Sequence, residues 1–267
     1  MELMRYNYNP SYPIIVGLSG KAATGKTSVA ETIVPKASFD NMRDGVIWEH
    51  IFFAMPIYEL YSSRTKIEGL NAESRKLYSI HETLYDIYGA SPIGNIPSYD
   101  DFIKLVHDIN SEPLNFAGGK PRTFLQNAGD LCRSHYEKCF SDWGVRKANK
   151  MHREYVRSVE EDEAKPYCIF ISDVRFKNEA EAILARPNSL IIRYDSSDEI
   201  RKERIYNRDG EYMTDEQNAH RSEMEIESFS DLVSTIIDSS SMSVEDQASA
   251  TMEAVKESFG LKTYAKN

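Results

Sequence analysis

The run Pro13 to Ser28, PIIVGLSGKAATGKTS, constrains this chain more than any other stretch. It holds the spacing G-x-x-x-x-G-K-[ST] at Gly20, Gly25, Lys26 and Thr27. Apolar Ile14, Ile15 and Val16 precede it, and Val29, Ala30, Ile33 and Val34 follow at helical spacing, so it reads as strand, glycine loop, helix. Glycines let the backbone curl until several N–H groups point inward at phosphate oxygens, and the following helix aims its positive end at the same anion. The candidate nucleotide contacts are therefore Gly20, Ala22, Thr24, Gly25, Lys26, Thr27 and Ser28. Lys26 is expected to bridge the β- and γ-phosphates of ATP, and the Thr27 hydroxyl to ligate Mg²⁺.

Further strand candidates are Val46 to Phe53, Tyr167 to Ser172, Leu190 to Tyr194 and Leu232 to Ile237, mostly separated by helical patterns. Strands alternating with helices predict an α/β fold with a mostly parallel, five-stranded sheet covered on both faces. Residues 62–120 break the alternation with a Tyr-rich helical pattern (Leu77, Tyr78, Ile80, Leu84, Tyr85, Tyr88) that closes on Ala117-Gly118-Gly119-Lys120-Pro121. They read as a helical insertion on the acceptor side of one domain spanning 1–267, either a lid over a ligand cleft or a packed extension. The run Glu160-Glu161-Asp162-Glu163 reads as a solvated loop or helix end.

Net charge is −10 with no long Lys/Arg stripe, which argues against a stable nucleic-acid partner but not against a small anionic ligand. Cys132, Cys139 and Cys168 are odd in number and form no C-x-x-C pair. A reducing compartment is expected, with neither a disulfide framework nor a zinc site. The N-terminal residues lack an apolar core and no run is long enough to span a membrane, so the expectation is a cytoplasmic protein without a membrane partner. Whether it forms a homodimer is open.

Three further segments carry chemistry. Placed on a helix, residues 122–133 put Arg122, Gln126, Gly129 and Arg133 on one face and Phe124, Leu125, Ala128, Leu131 and Cys132 on the other. Two guanidiniums and an amide suit a phosphate and a base edge, and Gly129 would allow close approach of a ligand. In YCIFISDVRFKNE, an apolar strand ends at Asp173, placed to hold Mg²⁺ beside the loop, and Arg175 can turn toward the phosphates. In SSDEIRKERIYNRDG, Ser196 and Glu199 have capping-box spacing, and Arg201, Arg204 and Arg208 fall on one helix face. Those arginines are expected on a lid over residues 196–225, neutralising charge on a transferring phosphoryl group.

The blocks GLSGKAATGKTSVAETI, PRTFLQNAGDLCR with Trp143, ISDVRFKNEAEAI and His220-Arg221-Ser222-Glu223 together resemble the deoxynucleoside monophosphate kinases, many of them encoded by bacteriophages. The resemblance implies a P-loop NTPase three-layer fold and transfer of the ATP γ-phosphate to a deoxynucleoside monophosphate. It implies that Arg122, Gln126, Asp130, Arg133 and Trp143 lie near the acceptor. It also implies that Asp173, Arg175, Arg201, Arg204 and Arg208 lie at the active centre and lid. Two rival readings remain: a kinase of another small metabolite such as dephospho-coenzyme A, and a nucleotide-binding switch with no catalysis.

Overall fold

The computed structural model describes residues 8–34, 42–89, 91–92, 94–114, 121–160 and 163–261. Residues 117–120 at the end of the expected insertion and residues 161–162 of the acidic run lie outside them. One sheet contains β1 (Ile14–Ser19), β2 (Met42–Arg43), β3 (Val46–Ile51), β4 (Tyr167–Val174), β5 (Ser189–Asp195) and β6 (Thr235–Asp238), in the order β2-β3-β4-β1-β5-β6. All pairings are parallel except β2 with β3. Among the described residues the sheet thus has six strands, one more than the five expected. The added strand is a two-residue edge piece joined to β3 through Asp44 (φ 54) and Gly45 (φ 78). Positive φ at both central residues is what a type I′ hairpin turn needs, and Asp-Gly supplies it.

The helices are α1 (Lys26–Ile33), α2 (Met55–Thr65), α3 (Ala72–Tyr88), α4 (Tyr99–Ser111), α5 (Arg122–His135), α6 (Cys139–Ser158), α7 (Lys177–Leu184), α8 (Asp198–Asp209), α9 (Asp215–Ala219), α10 (Arg221–Met224) and α11 (Val244–Phe259). A 3₁₀ segment, Glu225–Leu232, leads into β6 and takes up Leu232, which the sequence placed in the strand.

All six residues of β1 are buried, as expected of a central parallel strand covered on both faces. Ile14, Val16 and Leu18 pack with Val29 and Ile33 of α1 and with Val255 and Phe259 of α11. Ile15 turns to the opposite face, into a core shared by Ile169, Ile171 and Ile191 of the sheet and by Ile57, Phe124, Phe140 and Ile183 of α2, α5, α6 and α7. The two-residue alternation of the strand therefore feeds two separate helical layers.

The insertion joins the second core. Ile80, Leu84, Ile87 and Tyr88 of α3 and Phe102, Leu105, Val106 and Ile109 of α4 are buried in it. The Tyr88 hydroxyl donates to the Cys132 carbonyl at 2.7 Å, fastening α3 to α5. Helix α8 starts one residue later than the Ser196–Glu199 spacing predicts. Ser197 is extended (φ −60, ψ 150), and its hydroxyl accepts the Ile200 N–H at 3.4 Å. Cys132, Cys139 and Cys168 are buried and free. No described helix is long and apolar enough to cross a membrane.

Candidate functional site

Past the end of β1 the chain turns through Gly20 to Gly25 into α1, with positive φ at Gly20 (132), Ala23 (62) and Gly25 (101). A Cβ on Gly20 would lie 2.3 Å from the Tyr194 carbonyl oxygen of β5, so only glycine fits there. The Lys26 ammonium, 5% exposed, folds back across the loop. It donates to the carbonyls of Gly20 (2.5 Å) and Lys21 (2.7 Å) and to Thr24 Oγ1 (3.2 Å).

Beside this loop, at the C-terminal ends of β1, β3 and β4, a cavity of about 470 Å³ opens. In parallel sheets this end of the strands is where ligands bind. Thr27 and Glu31 of α1 form one wall. Phe52, Phe53 and Ala54, with Ile57 and Tyr58 of α2, form a second. Arg122, Leu125, Gln126 and Arg133 of α5 form a third, and the rest is Ser172, Asp173, Arg175, Phe176 and Glu179, with His220, Ser222 and Glu223. Residues from five stretches far apart in sequence thus meet around one space. Leu125, assigned to the apolar side of α5, sits on the cavity wall with the polar residues.

Asp173 does not cap α7. Its two carboxylate oxygens accept the N–H groups of Phe53 (2.6 Å) and Ala54 (2.8 Å), which fixes the chain entering α2. The start of α7 is organised by Glu179 instead. One Glu179 oxygen accepts the N–H groups of Arg175 (2.8 Å) and Phe176 (3.1 Å), and the other lies 3.5 Å from Arg133 Nη2. Burial pushes the Glu179 carboxyl up to about 7, against the pull of Arg133 and the two N–H groups. The Arg133 guanidinium lies over the rings of Phe176 (4.1 Å) and Phe140 (4.8 Å). It also fills the space that the sequence assigned to a ligand at Gly129. A Cβ there would meet Arg133 Nη1 at 2.8 Å and Ile57 Cδ1 at 3.3 Å, because α2 packs against this side of α5.

Arg122 Nη2 donates to Asp209 Oδ2 at 2.8 Å, and Arg208 binds the same carboxylate through Nε (2.7 Å) and Nη2 (2.8 Å). Partial burial alone would raise the Asp209 pKa, but the two guanidiniums hold it at about 2. The other arginines of α8 take a different place. Arg201, 8% exposed, donates from Nε to the Ala22 carbonyl (2.9 Å) and pairs with Asp198 (2.6 Å). Arg204 donates to the carbonyls of Ala23 (3.3 Å) and Ser239 (2.8 Å). Both brace the outside of the glycine loop, and neither lines the cavity.

Asp130 lies off the cavity wall, and its Oδ2 accepts a hydrogen bond from His220 Nε2 at 3.0 Å. His220 both lines the cavity and caps α10, its Nδ1 accepting the Ser222 N–H at 3.2 Å. Trp143, expected near the acceptor, does not line the cavity. It is 2% exposed, and its Nε1 donates to Asp86 of α3 at 2.6 Å, so it ties α6 to the insertion. Neither α3 nor α4 supplies a wall residue, so the insertion supports the cavity from behind α5. Ser28 is exposed on α1 outside the wall.

Sequence reasoning missed Glu179, Asp209, Phe52 and Tyr58. Glu179 stood in plain view in ISDVRFKNEAEAI, four residues after Arg175, at a spacing that returns a side chain to its helix start. Tyr58 carried no motif. Burial first, then Asp173, pushes its hydroxyl up to about 12.

No family model matches this chain, and no curated protein matches it. Among solved structures, the crystal structure of TT1252 from Thermus thermophilus aligns with 91% of this chain and 96% of its own, at 16% identity and a TM-score of 0.40. A likeness that low carries no inference about activity.

Proposed function

We propose that this protein is a P-loop kinase that transfers the γ-phosphate of Mg·ATP to the 5′-phosphate of a deoxynucleoside monophosphate. The observation that carries this reading is that Thr27 and Glu31, directly after the glycine loop, and Arg122, Gln126 and Arg133 of α5 line one cavity. The acceptor class rests on the resemblance of the four sequence blocks. The loop suits a phosphate: its Ala22 N–H already holds an anion, the Glu223 carboxylate, at 2.9 Å.

In this reading Lys26 leaves the loop carbonyls and neutralises the β- and γ-phosphates. Thr27 and Asp173, both on the cavity wall, are the residues that would hold Mg²⁺. The ion would supply charge neutralisation for the donor phosphates. Arg122 and Gln126 bind the acceptor, and Arg175 faces the transferring group. Arg201 and Arg204 act indirectly, holding the loop in shape. The acceptor phosphate is already largely ionised near neutral pH, so the residues need only position it in line and balance its charge.

The test is ADP release from Mg·ATP with dAMP, dGMP, dCMP, dTMP, dUMP, hydroxymethyl-dCMP, the ribonucleotides and dephospho-coenzyme A, for the wild type and Lys26→Ala. Turnover with a deoxynucleotide that Lys26→Ala abolishes supports the reading. Turnover with dephospho-coenzyme A alone would keep the reaction class and change the acceptor. ATP binding with silence across the panel would refute the kinase.

A further inference from the structure

We propose that Glu223 is a built-in anion that occupies the donor-phosphate position of the glycine loop and is exchanged for substrate phosphate. This rests on reading the loop as a phosphate site. The Glu223 side chain is almost completely buried at the junction of the loop and the cavity. One carboxylate oxygen accepts the Ala22 N–H of the loop at 2.9 Å, and the other is paired with the Arg175 guanidinium. A backbone N–H of a glycine loop and an arginine are what a terminal phosphate oxygen would seek. Lys26 and Arg122 also lie close enough to favour the ionised carboxylate.

A phosphate cannot share these donors with a carboxylate in contact, because like charges at that distance disfavour each other. Glu223 must therefore withdraw when phosphate enters. It is carried on α10, a helix of four residues. That helix is held by Arg221 to Glu137 (2.8 Å) on the solvent side, and by His220 to Asp130 (3.0 Å) and the Ser222 carbonyl to Arg175 (3.3 Å) at the cavity. Arg221 and Glu137 are both about half exposed (47% and 48%), and such ion pairs are weak. Withdrawal hands Arg175 from Glu223 to the substrate. Until then the carboxylate holds the arginine on the cavity wall and satisfies the loop amide. Entry of the donor and movement of the α9–α10 segment are thereby one event.

The experiment is calorimetric binding of pyrophosphate to the wild type, Glu223→Gln and Glu223→Ala, with melting temperatures alongside. Glutamine keeps the shape and loses the competing charge, so it serves even if the alanine variant folds poorly. The expected result is pyrophosphate binding about tenfold tighter in Glu223→Gln, the scale set by removing one like charge at contact. Hydrogen exchange over residues 213–225 should rise when pyrophosphate is added to the wild type and be high beforehand in Glu223→Gln. Unchanged or weaker binding in the glutamine variant overturns the exchange and leaves Glu223 as a structural brace. Such a brace would lower the melting temperature without tightening binding. No binding by any variant also overturns it. Tighter binding without turnover on any nucleotide would retain the exchange and refute the kinase; turnover in the wild type without tighter binding in the variant would do the reverse.

Discussion

Arg122→Ala separates the acceptor from the donor. The Arg122 side chain is 15% exposed and makes one short ion pair, 2.8 Å to Asp209. Truncation does not strand that carboxylate, because Arg208 still grips both of its oxygens at 2.7 and 2.8 Å. The stability cost is therefore the lost stem packing and one partly screened pair, about 1 kcal/mol. In a chain of this size that is a fall in Tm of about 2–4 °C. In the proposed reading, what the cavity loses is a cation facing the acceptor. A hydrogen bond to a charged group contributes about 1.5–3 kcal/mol. The KM for the deoxynucleotide should rise roughly 10- to 150-fold on the scale of 1.4 kcal/mol per decade. The KM for ATP should stay within about twofold, since the glycine loop and its bracing arginines are untouched. Initial rates with each substrate varied against saturating amounts of the other give both constants. Arg122→Lys should fall between, keeping the charge but not the planar fork. A rise in the ATP KM with the acceptor KM unchanged would refute the assignment of this face. A collapse in Tm would show that Arg122 is structural.

Three other outcomes follow from particular contacts. The Glu179 carboxyl is raised in the fold from 4.5 to about 7, so its contribution to stability is full below about pH 4.5 and is lost as pH rises through 7; the stability of wild type relative to Glu179→Gln should therefore decline between pH 5 and pH 8 in urea titrations, and a flat difference would contradict the shift. Trp143→Phe should cost about 1–2 kcal/mol through loss of the hydrogen bond to Asp86, leaving both KM values unchanged; an altered acceptor KM would return Trp143 to the substrate site. Gly17→Ala would place a methyl group 2.5 Å from Ile191 Cδ1, 2.9 Å from Ile183 Cδ1 and 3.0 Å from Val174 Cγ2, so overpacking should destabilise the protein by about 1–3 kcal/mol; chemical denaturation with a change under about 0.5 kcal/mol would show that this core yields easily.

Legibility in the sequence followed the range of the physics. The five principal strands were readable because both faces of a covered parallel sheet demand apolar residues, and β1 and β4 are nearly continuous apolar runs. Helix α5 was readable from its period, and the glycine loop from a backbone geometry that only glycine accepts at Gly20. The insertion was not placed, because its buried stripe (Ile80, Leu84, Ile87 of α3) says that it packs but not against what. That Trp143 lies off the cavity wall was not legible for a related reason. A tryptophan beside a functional block fits a base-stacking role and a core role equally, and its partner Asp86 lies 57 residues away.

The cations of the site were visible and their counter-charges were not. Arginines stand out when they recur on one helix face, but each is answered by a carboxylate that only the fold delivers: Asp209 to Arg122 across 87 positions, Glu179 to Arg133 across 46, and Glu223 to Arg175 across 48. The pairing has a consequence for mechanism. Unanswered guanidiniums in one cavity would repel one another and cost stability before any substrate arrived. Internal carboxylates remove that cost and keep the guanidiniums oriented. In the proposed exchange, substrate phosphate replaces one anion with another, so the net electrostatic gain is the difference between two pairings and not the full value of a new one. Affinity for a single phosphate should accordingly be modest, and the strongest binding should come from a ligand that displaces Glu223 and reaches Arg122 at once.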